Sequence, residues 1–198
     1  AFMTNRAIEF IKDSNEKPWF LHLSYIKPHW PYMAPAPYHN MFSSNQFYPV
    51  QRIDSEKKIN HPVYKAFIEN SISKTFSRDE VRDTVLTGYM GLIKQIDDNL
   101  GKLFKFLEDE KKMEDTMIVF TSDHGDYQGD HWLGEKELFH EQIVKVPMII
   151  YDPSPAADTT RGNKEKNFIE AIDLLPTFLD AVESKESKHR LEGNSLIP

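Results

Sequence analysis

An acid and an imidazole stand side by side at the end of an apolar run: Asp123 and His124 follow Ile118–Ser122 and precede Gly125. Carboxylate and neutral imidazole groups both bind divalent cations. In open α/β sheets, ligands bind beyond the carboxyl ends of the strands. A glycine allows the backbone to turn sharply there. The pattern therefore predicts a metal-binding turn, with an acidic turn holding a hydrogen-bonded histidine as the alternative.

Further polar side chains follow predicted strands or lie in the loop after Asp123. Lys27 and His29 come after the apolar run Trp19–Ile26, and His131 and Lys136 lie in the loop. If the strands are parallel neighbours, their ends converge and join a metal to two or three cationic donors. This combination suits a tetrahedral anion ester, because a metal polarises the ester oxygen while lysine and histidine stabilise charge on the other oxygens.

Each of these side chains also has a structural interpretation. Lys27 beside a proline turn is compatible with a solvated side chain, and His29 with a packed histidine. The neighbour of His131 is Trp132, which favours a supporting role over a ligand role. Lys136 stands between two glutamates, and pairing with them would be a weak surface effect.

The residues of this chain do not complete the predicted site. A divalent cation in a hydrolase takes four to eight donors, and Asp152 is the one further candidate near a strand end. The following Pro153 indicates a strand stop instead. Thr121 and Ser122 lack an obvious general base, so neither is a convincing nucleophile.

The site rests on a predicted α/β fold. Helices are predicted over Thr4–Lys12, with Thr4 as N-cap, and over Val63–Asn70, Arg78–Glu110 and Asp173–Val182. Strands are predicted over Trp19–Ile26, Thr116–Ser122 and Val146–Tyr151. This alternation predicts a mostly parallel sheet flanked by helices. Residues 35–59 form a long irregular segment, which is typical of a functional or mobile loop.

Composition limits the classes of function. The chain has 198 residues, enough for one domain with a sizeable core. Its net charge of −7 argues against a nucleic-acid partner and against an anionic membrane. No apolar run approaches the roughly 20 residues of a membrane span. A signal peptide is not expected, because Arg6 and Glu9 interrupt the first residues. The absence of cysteine leaves the compartment undetermined, and homo-oligomerisation stays open.

Several motifs together resemble the sulfatases, a family of the alkaline phosphatase superfamily. They are Thr121–Asp126, Gly129–His131, Lys136, Val146-Pro147, Trp19–Leu23 leading to Lys27–Pro31, Ile172–Thr177 and Gly193–Leu196. The resemblance is colinear over nearly the whole chain. It implies an alkaline-phosphatase-like fold.

Within this group the chain most resembles the phosphonate monoester hydrolase and phosphodiesterase branch. The features that indicate this are Ala34–His39, His61-Pro62 and Gly91–Asp98. His124 supports the same branch, since an asparagine often stands at this position in arylsulfatases.

The resemblance also implies roles for four residues. Asp123 and His124 would bind a divalent metal, for which Mn²⁺, Zn²⁺ and Ca²⁺ remain open. His29 and Lys136 would contact the phosphoryl or sulfuryl group and assist the leaving oxygen. The substrate would be a small anionic ester.

One part of the family pattern has no counterpart here. The family's nucleophile is a formylglycine made from Cys or Ser in a Cys/Ser-x-Pro-x-Arg motif, and this chain has no such motif. Residues 1–184 are therefore interpreted as a truncated sulfatase-like α/β domain and 185–198 as a connector toward a C-terminal subdomain. The isolated chain is expected to be inactive.

For the parent protein, hydrolysis of phosphonate monoesters or phosphodiesters is expected. The alternatives are a sulfate ester hydrolase and a non-catalytic segment that binds a metal or an anion. A metal-dependent phosphomutase of the same superfamily is disfavoured, because it would lack the Lys-Pro-His-x-Pro turn.

Overall fold

The computed structural model describes residues 1–15, 17–185 and 190–197. The chain divides into two compact units, Ala1–Ser154 and Pro155–Pro198. The helices are α1 Phe2–Asp13, α2 Pro62–Glu69, α3 Ser71–Phe76, α4 Asp79–Asp109, α5 Glu141–Val144 and α6 Leu174–Ala181, and the strands are β1 Ile118–Thr121 and β2 Met148–Tyr151. Within the described ranges, no helix is long and apolar enough to cross a membrane.

The predicted helices are confirmed, and α1 and α4 supply the first core cluster. Ala7 and Ile11 of α1 are buried against Leu103 and Leu107 of α4. The predicted N-cap is wrong. The helix begins at Phe2, and Thr4 is buried inside it, with its hydroxyl 2.8 Å from the Tyr25 hydroxyl. Its polar group serves a tertiary contact instead of a cap.

The predicted strand at residues 19–26 is extended but pairs with no strand among the described residues. Its side chains alternate in exposure, as a strand's do. Trp19, Leu21 and Leu23 pack against the first core cluster. Phe20 and Ile26 are 65% and 80% exposed. The apolar run is therefore partly buried on one face and exposed on the other.

The prediction of a mostly parallel sheet is not met by the described residues, where β1 and β2 pair antiparallel. Ile118 lies opposite Tyr151 and Thr121 opposite Met148. Parallel neighbours need a connection that returns the chain to the starting end. Residues 122–147 instead fold back beside the end of β1, where the Gly125 N–H donates to the Ile143 carbonyl at 2.8 Å. The next strand therefore starts where β1 ends.

A second core cluster lies under the loop that follows β1. Tyr127, Leu133 and Ile143 from residues 122–147 are buried against Tyr64 of α2. The exposures of Tyr127 and Leu133 are 1% each. Because burying a large apolar side chain stabilises a fold by about 1.5–3 kcal/mol, this cluster fixes the loop that holds the candidate site.

The second unit is organised around α6. Pro176 lies in the first turn of this helix, where a proline is tolerated. The Asp173 carboxylate accepts the Glu170 and Asn194 N–H groups at 2.8 and 2.9 Å. These bonds hold the pKa of Asp173 below its usual range. The predicted connector 185–198 includes residues 186–189 and 198, which lie outside the described residues, and its boundary stays a prediction.

Candidate active site

The predicted metal-binding turn brings its two donors together. The Asp123 Oδ2 atom lies 3.6 Å from the His124 Nε2 atom. The Asp123 carboxylate is 85% exposed and the His124 ring 31% exposed. Both groups therefore point to the same side of the turn and can be reached by a ligand.

A hydrogen bond orients the His124 ring for coordination. Its Nδ1 atom lies 2.7 Å from the Gly125 carbonyl oxygen, an acceptor that requires the proton on Nδ1. The Nε2 lone pair beside the Asp123 carboxylate is then free, which is the usual arrangement of a metal-binding histidine. The donor types and their geometry fit a divalent cation. No cluster of three or more such donors occurs in the part of the chain that the structure describes, so this pair would supply part of the coordination sphere.

Gly125 is required for close packing, which differs from the sharp turn predicted from the sequence. Its φ angle lies outside the left-handed region, where the glycines of the described residues are Gly129 and Gly162. A Cβ atom on Gly125 would lie 1.8 Å from the Gln142 carbonyl oxygen. The residue therefore allows the chain after β1 to lie directly against the start of α5.

Gly125→Ala is expected to destabilise the protein by at least about 2 kcal/mol, because the methyl group forces two backbone segments apart. Urea unfolding of the full-length protein would measure this loss. Gly101→Ala is the matched control, since a Cβ on Gly101 of α4 meets nothing within 4 Å. The control is expected to gain about 0.5–1 kcal/mol as an alanine inside a helix. Equal urea midpoints for Gly125→Ala and the wild type would contradict this account.

His29 and Lys136 are in contact although 107 residues separate them in the sequence. The Lys136 Nζ atom lies 3.3 Å from the His29 Nε2 atom. The His29 Nδ1 atom lies 2.9 Å from the Trp30 carbonyl oxygen. In the tautomer that satisfies both contacts, Nδ1–H donates to the carbonyl and Nε2 accepts from the lysine. The structure thus brings together the two residues to which the family resemblance assigns substrate contact.

Lys27 stabilises the turn that presents His29. Its Nζ donates to the His29 and Pro31 carbonyl oxygens at 3.1 and 2.8 Å. The solvated side chain expected from the sequence is therefore incorrect, and the lysine closes its own turn. The following residues lie against α4, where a Cβ on Gly88 would be 2.4 Å from the Tyr32 carbonyl oxygen. The small residue allows this close approach.

His131 supports the site loop through both ring nitrogens. Nδ1 lies 2.7 Å from a Glu56 carboxylate oxygen and Nε2 lies 3.3 Å from the Gln142 amide oxygen. The ring stacks on His140 with centroids 4.2 Å apart. Because both nitrogens are engaged, the supporting role predicted for His131 fits the structure better than a ligand role. The same contacts attach the long segment 35–59 to the loop.

The half-buried ring of His140 predicts a loss of stability in acid. Burial first, and then neighbouring His131, lower the pKa of His140, while Glu56 opposes the shift. Its Nδ1 also lies 2.7 Å from the Tyr127 hydroxyl. Because the folded-state pKa lies below the unfolded value of about 6.5, the unfolded state binds more protons as pH falls through that value. Stability conferred by the neutral ring is then lost.

Thermal unfolding at about pH 7.5 and about pH 5.5 would test this prediction. Between these two pH values, the melting temperature should fall less for His140→Gln than for the wild type. His61→Gln, at an exposed histidine, should keep the wild-type drop. The account fails if both variants keep it.

Asp126, to which the sequence analysis assigns no role, forms hydrogen bonds with Tyr32 and Gln128 in the structure. The Asp126 Oδ2 accepts the Tyr32 hydroxyl at 2.7 Å and its Oδ1 accepts the Gln128 N–H at 3.1 Å. Burial raises the pKa of Asp126, and these hydrogen bonds oppose the rise. The aspartate belongs to the motif at 121–126, but its partner Tyr32 is too distant in sequence to be inferred.

The remaining candidates have structural partners. The Ser122 hydroxyl donates to the His124 carbonyl at 2.8 Å, and the Thr121 hydroxyl to the Ser122 carbonyl at 3.3 Å. The Asp152 carboxylate accepts the Ser154 N–H at 2.8 Å, as a strand stop does. These contacts agree with the interpretation that Thr121 and Ser122 are not nucleophiles.

The motifs, the site geometry and the fold together define a class of protein. The Sulfatase family model matches residues 1–184, and the chain therefore belongs to the sulfatase family, within the alkaline phosphatase superfamily. It is 34% identical over 210 aligned residues to the multifunctional alkaline phosphatase superfamily protein PehA of Trinickia caryophylli, covering 100% of this chain and 40% of that protein. An arylsulfatase of Clostridium perfringens is 28% identical, with coverages of 90% and 37%.

Solved structures give the same result for the fold. The phosphonate monoester hydrolase of Agrobacterium radiobacter superposes with a TM-score of 0.88 at 27% identity, covering 100% of this chain and 41% of that one. The phosphonate monoester hydrolase SpPMH of Silicibacter pomeroyi gives 0.86 at 29% identity, with coverages of 99% and 40%. The chain has the fold of a segment of these proteins and spans about 40% of their length.

Proposed function

We propose that the full-length protein is a metal-dependent hydrolase of phosphonate monoesters and phosphodiesters, to which this chain contributes four site residues. The observation that carries this proposal is the 3.3 Å contact between His29 Nε2 and Lys136 Nζ. It joins two proton-bearing groups from distant parts of the chain. Similarity to phosphonate monoester hydrolases supports the substrate class.

Asp123 and His124 are the residues that would hold the metal. When bound, a divalent cation polarises the ester and stabilises negative charge on its oxygens. The carboxylate supplies a hard oxygen donor, and the hydrogen bond from His124 Nδ1 to the Gly125 carbonyl presents Nε2. The two side chains thus contribute one negative and one neutral donor.

We assign charge stabilisation to Lys136 and proton delivery to His29. The lysine ammonium would donate to the non-bridging oxygens, where negative charge grows as the ester reacts. Once the imidazole has taken up a second proton at Nε2, it would give that proton to the leaving oxygen as its bond to phosphorus breaks. The bond to the Trp30 carbonyl holds the ring so that Nε2 faces Lys136. The resemblance assigns the nucleophile to a formylglycine outside this chain.

Hydrolysis of sulfate esters is the second candidate, since a tetrahedral sulfuryl group would contact the same residues. Membership of the sulfatase family and the similarity to an arylsulfatase favour it. The two candidates do not differ in the charge of the substrate. A phosphonate monoester, a phosphodiester and a sulfate monoester are monoanions, so the net charge of the site does not separate them and a direct comparison is needed.

The test compares kcat/KM of the full-length protein on nitrophenyl esters of phenylphosphonate, phosphate (as the diester) and sulfate, which share one leaving group. Faster turnover of the phosphonate or the diester supports the proposal. A preference for the sulfate ester would replace it with the sulfatase function. Metal binding without turnover of any of the three would indicate a non-catalytic binding protein.

A further inference from the structure

A side-chain hydrogen bond links the turn that presents His29 to the turn that presents Asp123. Tyr32, three residues after His29, donates its hydroxyl to Asp126, three residues after Asp123. The oxygen atoms are 2.7 Å apart, and the residues are 94 positions apart in the sequence. A hydroxyl bond to a carboxylate is among the stronger hydrogen bonds in proteins.

The Tyr32 ring is held firmly by the helices beneath it. It makes edge contacts with Phe76 of α3 at 6.1 Å and with Tyr89 of α4 at 6.0 Å between ring centroids. Its carbonyl oxygen lies over Gly88, at a position where a Cβ would approach to 2.4 Å. Burial, followed by the charge of Asp126, raises the pKa of Tyr32 far above its usual range, so the hydroxyl stays protonated and donates.

The Asp126 carboxylate is fixed as well. Its second oxygen accepts the Gln128 N–H at 3.1 Å, and the Gln128 carbonyl accepts the Arg82 Nε–H of α4 at 3.0 Å. Both ends of the Tyr32–Asp126 bond therefore rest on the α3–α4 scaffold. The bond can transmit the position of one turn to the other.

Among the described residues, the His29–Lys136 pair is a second contact between the His29 turn and the loop that begins with the metal-binding turn. An anion bound by both residues would have to enter between them, because the anion contacts both the Lys136 ammonium and the His29 Nε2 atom. Substrate would then separate His29 from Lys136 but leave the Tyr32–Asp126 bond intact. The spacing of the turns during turnover would therefore depend on the Tyr32–Asp126 bond.

We propose that Tyr32 is a positioning residue whose hydroxyl bond to Asp126 sets the spacing between the His29 turn and the metal-binding turn. The inference rests on the proposed function of these turns. Tyr32 touches neither substrate nor metal in this role and acts through His29. Misplacement of a catalytic group by about 1 Å can cost up to 10²-fold in rate.

The test is Tyr32→Phe in the full-length enzyme, which keeps the ring contacts and removes the hydroxyl. We expect kcat to fall about tenfold, with KM changed less than about twofold. The loss should be greater for esters with poor leaving groups, because proton delivery by His29 matters most there. Tyr89→Phe is the matched control, a tyrosine of the same ring cluster with no such bond to Asp126, and should keep the wild-type kcat.

Two further readouts separate positioning from a general structural effect. In a His29→Ala background, Tyr32→Phe should cause little further loss, since the residue acts through His29. The side-chain NMR signal of His29 should shift in Tyr32→Phe and not in Tyr89→Phe, a result that does not depend on turnover. Equal kcat for the two phenylalanine variants, or full additivity with His29→Ala, would overturn the inference. Wild-type inactivity on all esters would instead refute the proposed function, and an unshifted His29 signal would then overturn the positioning role.

Discussion

Lys136→Ala is expected to lower kcat/KM of the full-length protein by roughly 10²–10³ on a phosphonate monoester or phosphodiester. Removing one preorganised donor to a developing oxyanion typically has this effect. The loss should appear mainly in kcat, because the donor acts on charge that grows in the transition state. The melting temperature should change little, since the side chain is half-buried and, among the described residues, its ammonium group bonds to the His29 ring alone.

The control for this variant is Lys145→Ala. Lys145 pairs with Glu141 at 3.4 Å and is 75% exposed, so its removal tests the loss of a surface lysine in the same region. It should retain wild-type kinetics. Wild-type turnover in Lys136→Ala would remove the lysine from the site and leave its contact with His29 as a structural one.

Asp123→Ala and His124→Ala should each weaken metal binding by more than about 10²-fold. Loss of partners that only orient ligands costs 10–100-fold in affinity or activity, and loss of a direct donor should cost more. Calorimetric titration of the full-length protein with Mn²⁺, Zn²⁺ and Ca²⁺ measures the change and identifies the preferred ion. Activity should fall in parallel with metal content.

The metal assignment has a matched control in His61→Ala. His61 precedes α2 and is exposed, with no side-chain capping bond. It should bind metal as the wild type does. Unchanged affinity in both Asp123→Ala and His124→Ala would show that the turn is the acidic turn with a hydrogen-bonded histidine that the sequence also allowed.

Local patterns predict the helices well and the sheet poorly. In α4, the apolar residues Leu92, Leu103 and Leu107 recur at helical spacing and are buried. The apolar pattern of α1 and the proline of α6 likewise report interactions within a few residues. The direction of strand pairing depends on the path of residues 122–147, which is set by a backbone bond between Gly125 and Ile143. No local pattern encodes that path.

Within the candidate site, too, features that are local in the sequence are easier to predict than contacts between distant residues. Asp123 and His124 are adjacent in the sequence, so their joint orientation could be expected from the turn. The convergence of His29 and Lys136 was also expected, although from a parallel sheet that the described residues do not form. The bonds of Tyr32 to Asp126 and of Glu56 to His131 join residues 94 and 75 positions apart. Such pairs depend on the tertiary fold.

The one-sided burial of residues 19–26 has a practical consequence for handling the protein. Large apolar side chains exposed on one face of an extended segment favour association between molecules. Phe20 and Ile26 lie on that exposed face. Produced alone, these 198 residues therefore present an apolar face that favours aggregation. A charged residue at position 20 or 26 would oppose such association while leaving the partly buried side chains of Trp19, Leu21 and Leu23 in place.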